Sequence, residues 1–481
     1  MTEEIQDIFD EIRNIMQPDM DCTARYHALD ALLLRALKDR TRHSPVDFTH
    51  TAARLHWLCK QTGHPSHPLE VFRARAGRIQ KGLFLPDGED EAYDLKAVCE
   101  GLAAFYQTHV PEDVQKRLPR HWRPAPAPAE KVSQAKRIRI TVHRWDEHFI
   151  YGKDHTHPTE QLLKVEYADE TDRTFADLKE QLYEGAQLNL LSVKTIKAEG
   201  AYPYVLKPEM LVLDPDFLID ITALCACIKP YGYSAYTHLL NKLAPPARSA
   251  AIQLGNAANQ FLDDCVNENR DLERAKTSEN EVFRLGSAER ERFIQNRDLE
   301  REDRACPESA GHERFTQNAD GTAEAELYLR SMQNSFRLSP LAWSTLPDID
   351  RDFFNRCEMQ FHHIRQTVRN SFSAAGIDIR QTEVELEPSF LCEALGLQGR
   401  MDQLTRNADT LVELKSGKAD EYPYRSPKDE HRLQMALYKE ILYYNLDRRH
   451  EQVQSYLFYS RYPGLYAVDV PRSHIRRAMA L

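Results

Sequence analysis

Residues 397–418 read Leu397-Gln-Gly-Arg-Met-Asp402-Gln-Leu-Thr-Arg-Asn-Ala-Asp409-Thr-Leu-Val-Glu413-Leu-Lys415-Ser-Gly-Lys418. Two strand-like runs flank the short polar turn from Arg406 to Asp409, a pattern that predicts a β-hairpin. If Arg406 pairs with Asp409, the numbers of any two facing residues sum to about 815. Asp402 then lies directly opposite Glu413 on the neighbouring strand.

This hairpin places three charged side chains on one face. Facing residues have Cβ atoms about 4.5–5.5 Å apart, so Asp402 and Glu413 repel each other unless a cation lies between them. Carboxylate oxygens suit Mg²⁺ or Mn²⁺. Lys415 shares the face because it is two residues from Glu413 on one strand. Two carboxylates and a lysine suit metal-assisted hydrolysis of a phosphodiester, in which the metal activates water and the lysine holds that water or offsets charge on phosphorus.

A predicted helix follows the hairpin in the segment from His431 to Leu442. Its Gln434 and Tyr438 are four residues apart and therefore lie on one face, while the apolar residues cover another. The two polar side chains are placed either to reach a DNA backbone or to brace Lys415.

Three linked motifs stand in this part of the chain: Gly399-x-x-Asp402, Glu413-x-Lys415 and Gln434-x-x-x-Tyr438. Their order and spacing resemble the signature of the RecB-like PD-(D/E)XK nucleases. The longer strings around them are most similar to the nuclease domain of the flap-processing replication helicase–nucleases and their bacterial relatives. The resemblance implies a mixed sheet flanked by helices, with activity on single-stranded or flapped DNA.

The resemblance also implies roles for individual residues. The metal ligands would be Asp402, Glu413 and the backbone carbonyl of Leu414. The catalytic residues would be Asp402, Glu413 and Lys415, with Gln434 and Tyr438 in support. The residues expected to contact DNA are Arg400, Lys418 and Tyr438.

The chain departs from the family pattern in two places. Relatives have an upstream Gly-x-x-x-His whose histidine binds metal, whereas this chain has Gly255-Asn-Ala-Ala-Asn259. Asn259 is therefore expected to be a weak metal ligand, and Asp263, one turn further on, could supply the missing charge. Many relatives also hold an iron–sulfur cluster with three cysteines after the Gln–Tyr helix. No cysteine follows Cys392 here, so we expect no cluster of that kind.

We expect an α/β chain, α+β overall, with three domains and a linker. They are a helical N-terminal domain of unknown role (1–122), a Pro/Ala linker (123–136), a small β-barrel-like domain of the oligonucleotide-binding kind (137–225) and a nuclease domain (226–481) that carries a charged, internally duplicated insertion (269–320).

Composition narrows the class of protein. The net charge of −11 argues against a protein that coats nucleic acid non-specifically, but not against a nuclease with a local basic path. Nine cysteines without framework spacing indicate reduced thiols and a cytoplasmic protein, nucleoid-associated if bacterial. No apolar run is long enough for a membrane helix. No phosphate-binding loop motif is present, so we expect no ATP site in this chain.

The sequence therefore predicts a metal-dependent DNA nuclease that serves a helicase–nuclease system in DNA repair, replication or defence against foreign DNA. The chain stops within a predicted helix that begins at Ser473, so a helicase motor is expected either beyond this fragment or as a separate chain. The alternative is a catalytically silent module that keeps the fold and binds DNA or assembles partners. The missing histidine and the acidic charge favour this alternative, whereas the intact Asp402, Glu413 and Lys415 count against it.

Overall fold

Helices and sheets are mixed along the chain in this computed structural model, which confirms the predicted α+β class. It describes residues 3–481 except for 18, 49, 123–134, 199, 230–231, 245–248, 285–318, 347, 378–383 and 422–424. The predicted linker thus lies outside the described residues apart from its last two, as does most of the predicted insertion. The chain forms two compact units, Met1–Leu218 with Glu393–Leu397 and Arg476–Leu481, and Ile219–Cys392 with Gln398–Ile475.

The first unit begins with helices: α1 (Glu3–Ile15), α2 (Cys22–Arg40), α3 (Thr51–Thr62), α4 (His67–Gln80), α5 (Gly88–Phe105) and α6 (Glu112–Gln115). The side chain of Asp21 accepts hydrogen bonds from backbone N–H groups at the start of α2, and that of Asp87 does so at the start of α5. Such caps satisfy donors that have no partner inside the helix. Large apolar side chains, including Phe9, Leu33 and Phe72, are buried together between these helices.

A small closed barrel follows, formed by β1 (Ala135–Trp145), β2 (Phe149–Asp154), β3 (Leu163–Glu166), β4 (Gln187–Lys197) and β5 (Tyr204–Lys207). Its strand order is β1-β2-β3-β5-β4, and pairing of β4 with β1 closes the ring. The barrel predicted for this region is therefore present. Strand β6 (Met210–Leu213) adds to β4 outside the ring. Gly152 allows β2 to approach β1, because a Cβ there would lie 2.6 Å from the Thr141 carbonyl oxygen.

The helices of the second unit are α7 (Ile221–Ala226), α8 (Tyr236–Leu243), α9 (Ala250–Arg284), α10 (Ala319–Leu338), α11 (Pro340–Ser344), α12 (Arg351–Gln366), α13 (Asp429–Leu446) and α14 (Arg472–Met479), the last of which ends in the first unit. Helix α12 continues through a π-helical turn to Ala374. Its apolar stripe is buried against α9, where the rings of Phe361 and Phe261 meet edge to face. None of the described helices combines the length and apolar character needed to cross a membrane.

The sheets of the second unit include a five-stranded one, in the order β10 (Val384–Leu386), β13 (Gln403–Thr405), β14 (Thr410–Lys415), β15 (Gln454–Tyr459) and β16 (Tyr466–Ala467). Strands β14 and β15 are parallel, and the other pairs are antiparallel. A second sheet has the order β11 (Ser389–Cys392), β12 (Leu397–Arg400) and β7 (Ile219–Asp220), and a two-stranded ribbon joins β8 (Ile228–Lys229) to β9 (Gly232–Tyr233). Helix α13 connects β14 to β15, as a parallel pair requires.

Candidate active site

The hairpin forms with the predicted register. Gln403 lies opposite Val412 and Leu404 opposite Leu411, so facing residue numbers sum to 815, as the turn predicts. The next position along is Asp402 opposite Glu413. The register depends on alternation along both strands, because a slip of one residue would send every side chain to the wrong face.

The turn between the strands is held by the side chain of Thr405. Its hydroxyl oxygen accepts hydrogen bonds from the backbone N–H of Asp409 at 3.2 Å and of Thr410 at 2.9 Å, and the hydroxyl donates to Asp409 Oδ1 at 2.7 Å. Ala408 takes a positive φ of 52°, a conformation that glycine and asparagine adopt more readily. This local network fixes the loop length and therefore the register.

The two hairpin carboxylates meet at the start of β13. The backbone N–H of Leu414 donates to Asp402 Oδ2 at 2.7 Å. In return, the backbone N–H of Asp402 reaches Glu413 Oε2 at 3.4 Å. Glu413 is only 3% exposed, so the two acidic groups lie side by side with little water to screen them.

Lys415 is the cation of this face. Its Nζ donates to Glu413 Oε1 at 2.9 Å. Burial lowers the pKa of Lys415, but the carboxylates of Glu413 and Asp402 more than offset this, so its pKa is raised above the ordinary value. Lys415 is therefore an ammonium group at neutral pH and cannot act as a general base there.

Gln434 and Tyr438 of helix α13 form a buried chain of hydrogen bonds behind Glu413, which we call the relay. Gln434 Nε2 donates to Glu413 Oε1 at 2.9 Å and to the Tyr438 hydroxyl at 3.0 Å. The hydroxyl donates in turn to the Arg400 carbonyl at 2.6 Å. Of the two roles left open for this helix, the bracing of the hairpin charges is the one the geometry supports.

The three residues expected to contact DNA differ in exposure. Arg400 and Lys418 have exposed side chains, and Arg400 pairs with Glu387. Tyr438 is only 1% exposed and its hydroxyl is engaged on both sides. A direct DNA contact by Tyr438 therefore does not fit the structure, because the packing of α13 against the hairpin covers its ring.

Asn259 comes from α9 and lies beside the carboxylates. Its Nδ2 is 3.5 Å from Asp402 Oδ1, and rotation of the amide would bring its oxygen to that position instead. Asp263, one turn further along α9, is also half-buried. Burial, together with Glu387 and Asp264, raises the pKa of Asp263 to about 7 even though Arg400 opposes the shift.

The acidic pair fits a divalent cation. Burial and the neighbouring Glu413 raise the pKa of Asp402 well above its ordinary value, so the pair resists full ionisation unless positive charge is added. Mg²⁺ commonly takes one or two carboxylates from a protein and fills its remaining positions with water. The donors here are all oxygens, which suits Mg²⁺ or Mn²⁺.

The carbonyl of Leu414 has the direction its predicted role requires. The Lys415 carbonyl accepts a hydrogen bond from the Ser460 N–H at 3.0 Å, on the β15 side of the strand. Successive residues of a strand direct their backbone groups to opposite neighbours. The Leu414 carbonyl therefore points to the same edge as its N–H, toward Asp402.

Gln360 of α12 is a site residue that the sequence interpretation missed. It is buried, its Nε2 donates to the Ser416 carbonyl at 3.3 Å, and its Oε1 accepts from Ser460 Oγ at 2.7 Å. It thereby fixes the backbone directly after Lys415. The sequence did offer a signal: Gln360 is a polar residue beside Cys357 and Phe361 on the apolar face of the helix. A buried amide needs specific hydrogen-bond partners, so a glutamine in this position indicates a structural or functional role.

No protein-family model matches the chain, and no curated protein matches it. The likeness to RecB-like nucleases therefore rests on the three sequence motifs.

Proposed function

We propose that this chain is a metal-dependent deoxyribonuclease that hydrolyses phosphodiester bonds, with single-stranded or flapped DNA as its expected substrate. The observation that carries the proposal is the convergence of Asp402, Glu413 and Lys415 at one end of strands β13 and β14. A structural hairpin gains nothing from two adjacent carboxylates, one buried and one half-buried, because their repulsion lowers its stability.

The ion would be Mg²⁺ or Mn²⁺, held by Asp402, Glu413 and the Leu414 carbonyl, with Asn259 as a weak fourth donor. When bound, such an ion lowers the pKa of a coordinated water and polarises the scissile phosphate. The uncharged amide of Asn259 makes the site less negative than one with a third carboxylate. We therefore expect weak binding that needs millimolar-range metal.

Side chains of the protein orient the attacking water, stabilise developing charge and hold the site in place. Lys415, an ammonium at neutral pH, orients the attacking water through its N–H donors and offsets negative charge that develops on the phosphorus oxygens. Glu413 holds Lys415 in place, and Gln434 holds Glu413. Tyr438 connects this relay to the backbone at Arg400, so it positions the site without touching substrate.

Substrate binding requires positive charge near the carboxylates. Arg400 and Lys418 are exposed and lie in sequence on either side of the catalytic hairpin strands. Contacts of this kind bind phosphate without reading base sequence. The closed barrel of the first unit is expected to add a second DNA-binding surface, since small barrels of this type commonly bind oligonucleotides. A helicase motor remains the expected partner in a repair, replication or defence system.

The test is cleavage of end-labelled single-stranded, flapped and duplex DNA with Mg²⁺, Mn²⁺ or EDTA. We expect metal-dependent cleavage that falls by more than about 100-fold in Asp402→Ala and Lys415→Met, a loss typical of removing one charge-stabilising group. Matched controls are Asp429→Ala and Lys242→Met, which change exposed residues of the same unit. Retained DNA binding with no cleavage under any metal would overturn the proposal and favour the silent module.

A further inference from the structure

Two histidines and a glutamate meet inside the first unit. His56 lies on α3, Glu70 on α4 and His143 on β1. His56 Nε2 is 2.7 Å from Glu70 Oε1, and His143 Nε2 is 3.4 Å from the same oxygen. All three donor atoms lie within 4.8 Å of one another, and no other such group of three occurs in the part of the chain that the structure describes. Two consecutive helices and a strand that is distant in sequence thus bring three potential metal ligands together.

The two ring nitrogens of this cluster are unusual because they are buried without hydrogen bonds. Neither His56 Nε2 nor His143 Nε2 is accessible to solvent, and neither makes a hydrogen bond of acceptable geometry. His56 as a whole is 5% exposed. Most buried polar atoms have a hydrogen-bond partner. The two nitrogens instead approach one carboxylate oxygen at ion-pair distance without hydrogen-bond geometry, an arrangement that suits three ligands of a shared cation.

The chemistry of the donors selects the kind of ion. Two imidazole nitrogens and a carboxylate oxygen suit Zn²⁺ and similar transition metals, whereas Mg²⁺ prefers oxygen alone. With metal–ligand distances near 2.0–2.2 Å, tetrahedral coordination separates neighbouring donors by about 3.3 Å. The His143–Glu70 separation already matches this value, and the shorter His56–Glu70 distance requires only a small opening.

The surroundings support a ligand role for Glu70. Lys153 Nζ donates to Glu70 Oε2 at 2.9 Å, and Ser66 Oγ donates to Oε1 at 3.0 Å. Such contacts orient a metal-binding carboxylate. His56, Glu70 and Lys153 also line a cavity of about 220 Å³, which leaves room for a water molecule beside two of the three donors.

We propose that His56, Glu70 and His143 form a binding site for one Zn²⁺-type ion, with the fourth position open to water. This site is separate from the proposed Mg²⁺ or Mn²⁺ site on the hairpin. It joins α3 and α4 to β1, so the bound ion stabilises the packing of the helices on the barrel. A site with three protein ligands and one open position also has the composition of a catalytic rather than a purely structural zinc site.

The test measures Zn²⁺ binding to the full chain carrying Asp402→Ala, which removes the hairpin site. After treatment with chelator, Zn²⁺ is added in competition with a chromogenic chelator, and Co²⁺ is added separately to record its visible absorption. Further variants are Glu70→Gln, which keeps the side-chain size, and His143→Ala, which changes the least buried of the three. The matched control is His155→Gln, because His155 lines the same cavity outside the cluster.

We expect one Zn²⁺ per chain that raises the thermal midpoint of unfolding and a Co²⁺ spectrum typical of tetrahedral coordination. Glu70→Gln and His143→Ala should each weaken Zn²⁺ binding by more than about 100-fold, since even an outer partner of a ligand changes metal affinity by about 10–100-fold. Circular dichroism verifies that each variant is folded. The absence of Zn²⁺ binding, or equal binding in Glu70→Gln, would overturn the proposal.

Discussion

The backbone N–H of Leu414 donates a 2.7 Å hydrogen bond to Oδ2 of Asp402. This bond ties a side chain at the end of one hairpin strand to the backbone of the other. It fixes the Asp402 carboxylate beside Glu413 in spite of their mutual repulsion. Lys415 offsets this repulsion only in part, because the pKa of Asp402 is still raised by burial and by Glu413. A bound metal cation would offset the remainder.

Asp402→Asn should stabilise the metal-free protein and abolish its response to metal. An asparagine oxygen can still accept the Leu414 N–H, and the substitution removes the negative charge beside Glu413. Its NH2 group takes the place of Oδ1, so the Asn259 amide must rotate to accept from it. We expect a higher thermal midpoint than the parent in EDTA, no further rise with Mg²⁺ or Mn²⁺, and cleavage lowered by more than about 100-fold. Differential scanning fluorimetry checks the first two expectations. A lower midpoint in EDTA that still rises with metal would contradict the proposed site.

Asn259→His should strengthen metal binding. The imidazole replaces a neutral amide 3.5 Å from Asp402 with a better donor for Mn²⁺. We expect the Mn²⁺ concentration for half-maximal cleavage to fall by about 10-fold, within the range by which groups around a metal alter its affinity. Gln260→His is the matched control, because the adjacent helical position points about 100° away. An equal effect of both substitutions would show that Asn259 does not face the metal.

Gly399→Ala should disturb the relay behind Glu413. An added Cβ would lie 2.8 Å from Cε1 of Tyr438 and 3.3 Å from Cδ1 of Ile221. We expect a loss of about 1–3 kcal/mol in unfolding free energy, as for other overpacked sites, together with reduced cleavage. Chemical denaturation measures the loss. Gly417→Ala is the control, since nothing lies within 4 Å of its Cβ position.

The loss caused by Gly399→Ala should shrink in a Tyr438→Ala background, because the clashing ring is then absent and contacting residues do not act additively. Equal losses in the two backgrounds would mean that the glycine is required for another reason.

Acidification should destabilise the protein partly through His431. Burial, reinforced by the charge of Lys415, lowers the pKa of His431 to about 4, whereas an unfolded histidine titrates near 6.5. Between these values the unfolded state binds more protons, so stability present above about pH 6.5 is lost as the pH falls toward 4. His431→Gln should flatten this loss when unfolding is measured across that range.

A remaining slope is expected in His431→Gln, because burial also lowers the pKa of His155 to about 4. His109→Gln, at an exposed position, serves as the control. If His431→Gln and His109→Gln retain the same pH dependence as the parent, His431 is not the buried neutral group described above.

The local part of the candidate site could be predicted from sequence. The hairpin register follows from two-residue alternation and the turn length, so facing numbers that sum to 815 were accessible without a structure. Gln434 and Tyr438 share a face because a helix repeats about every 3.6 residues. The barrel strands could also be predicted, because they are short runs in which apolar residues alternate every two positions.

Relationships across the fold were not predictable in this way. The burial of Tyr438 depends on how α13 packs, and the sequence interpretation wrongly gave this residue a DNA contact. The roles of Gln360 and Gly399 likewise depend on neighbours from other elements: Ser416 and Ser460 for Gln360, and Tyr438 and Ile221 for Gly399. The repeat of a strand or a helix shows which residues share a face, but it does not show which other element that face will contact.

The sequence by itself therefore determined the hairpin, its register and the face that carries Asp402, Glu413 and Lys415, because these follow from short-range backbone geometry. Only the tertiary structure decided the parallel pairing of β14 with β15 and the meeting of His56, Glu70 and His143. Such convergence depends on packing between elements that are far apart in the chain, which is governed by the burial of many side chains together rather than by any single stretch of sequence.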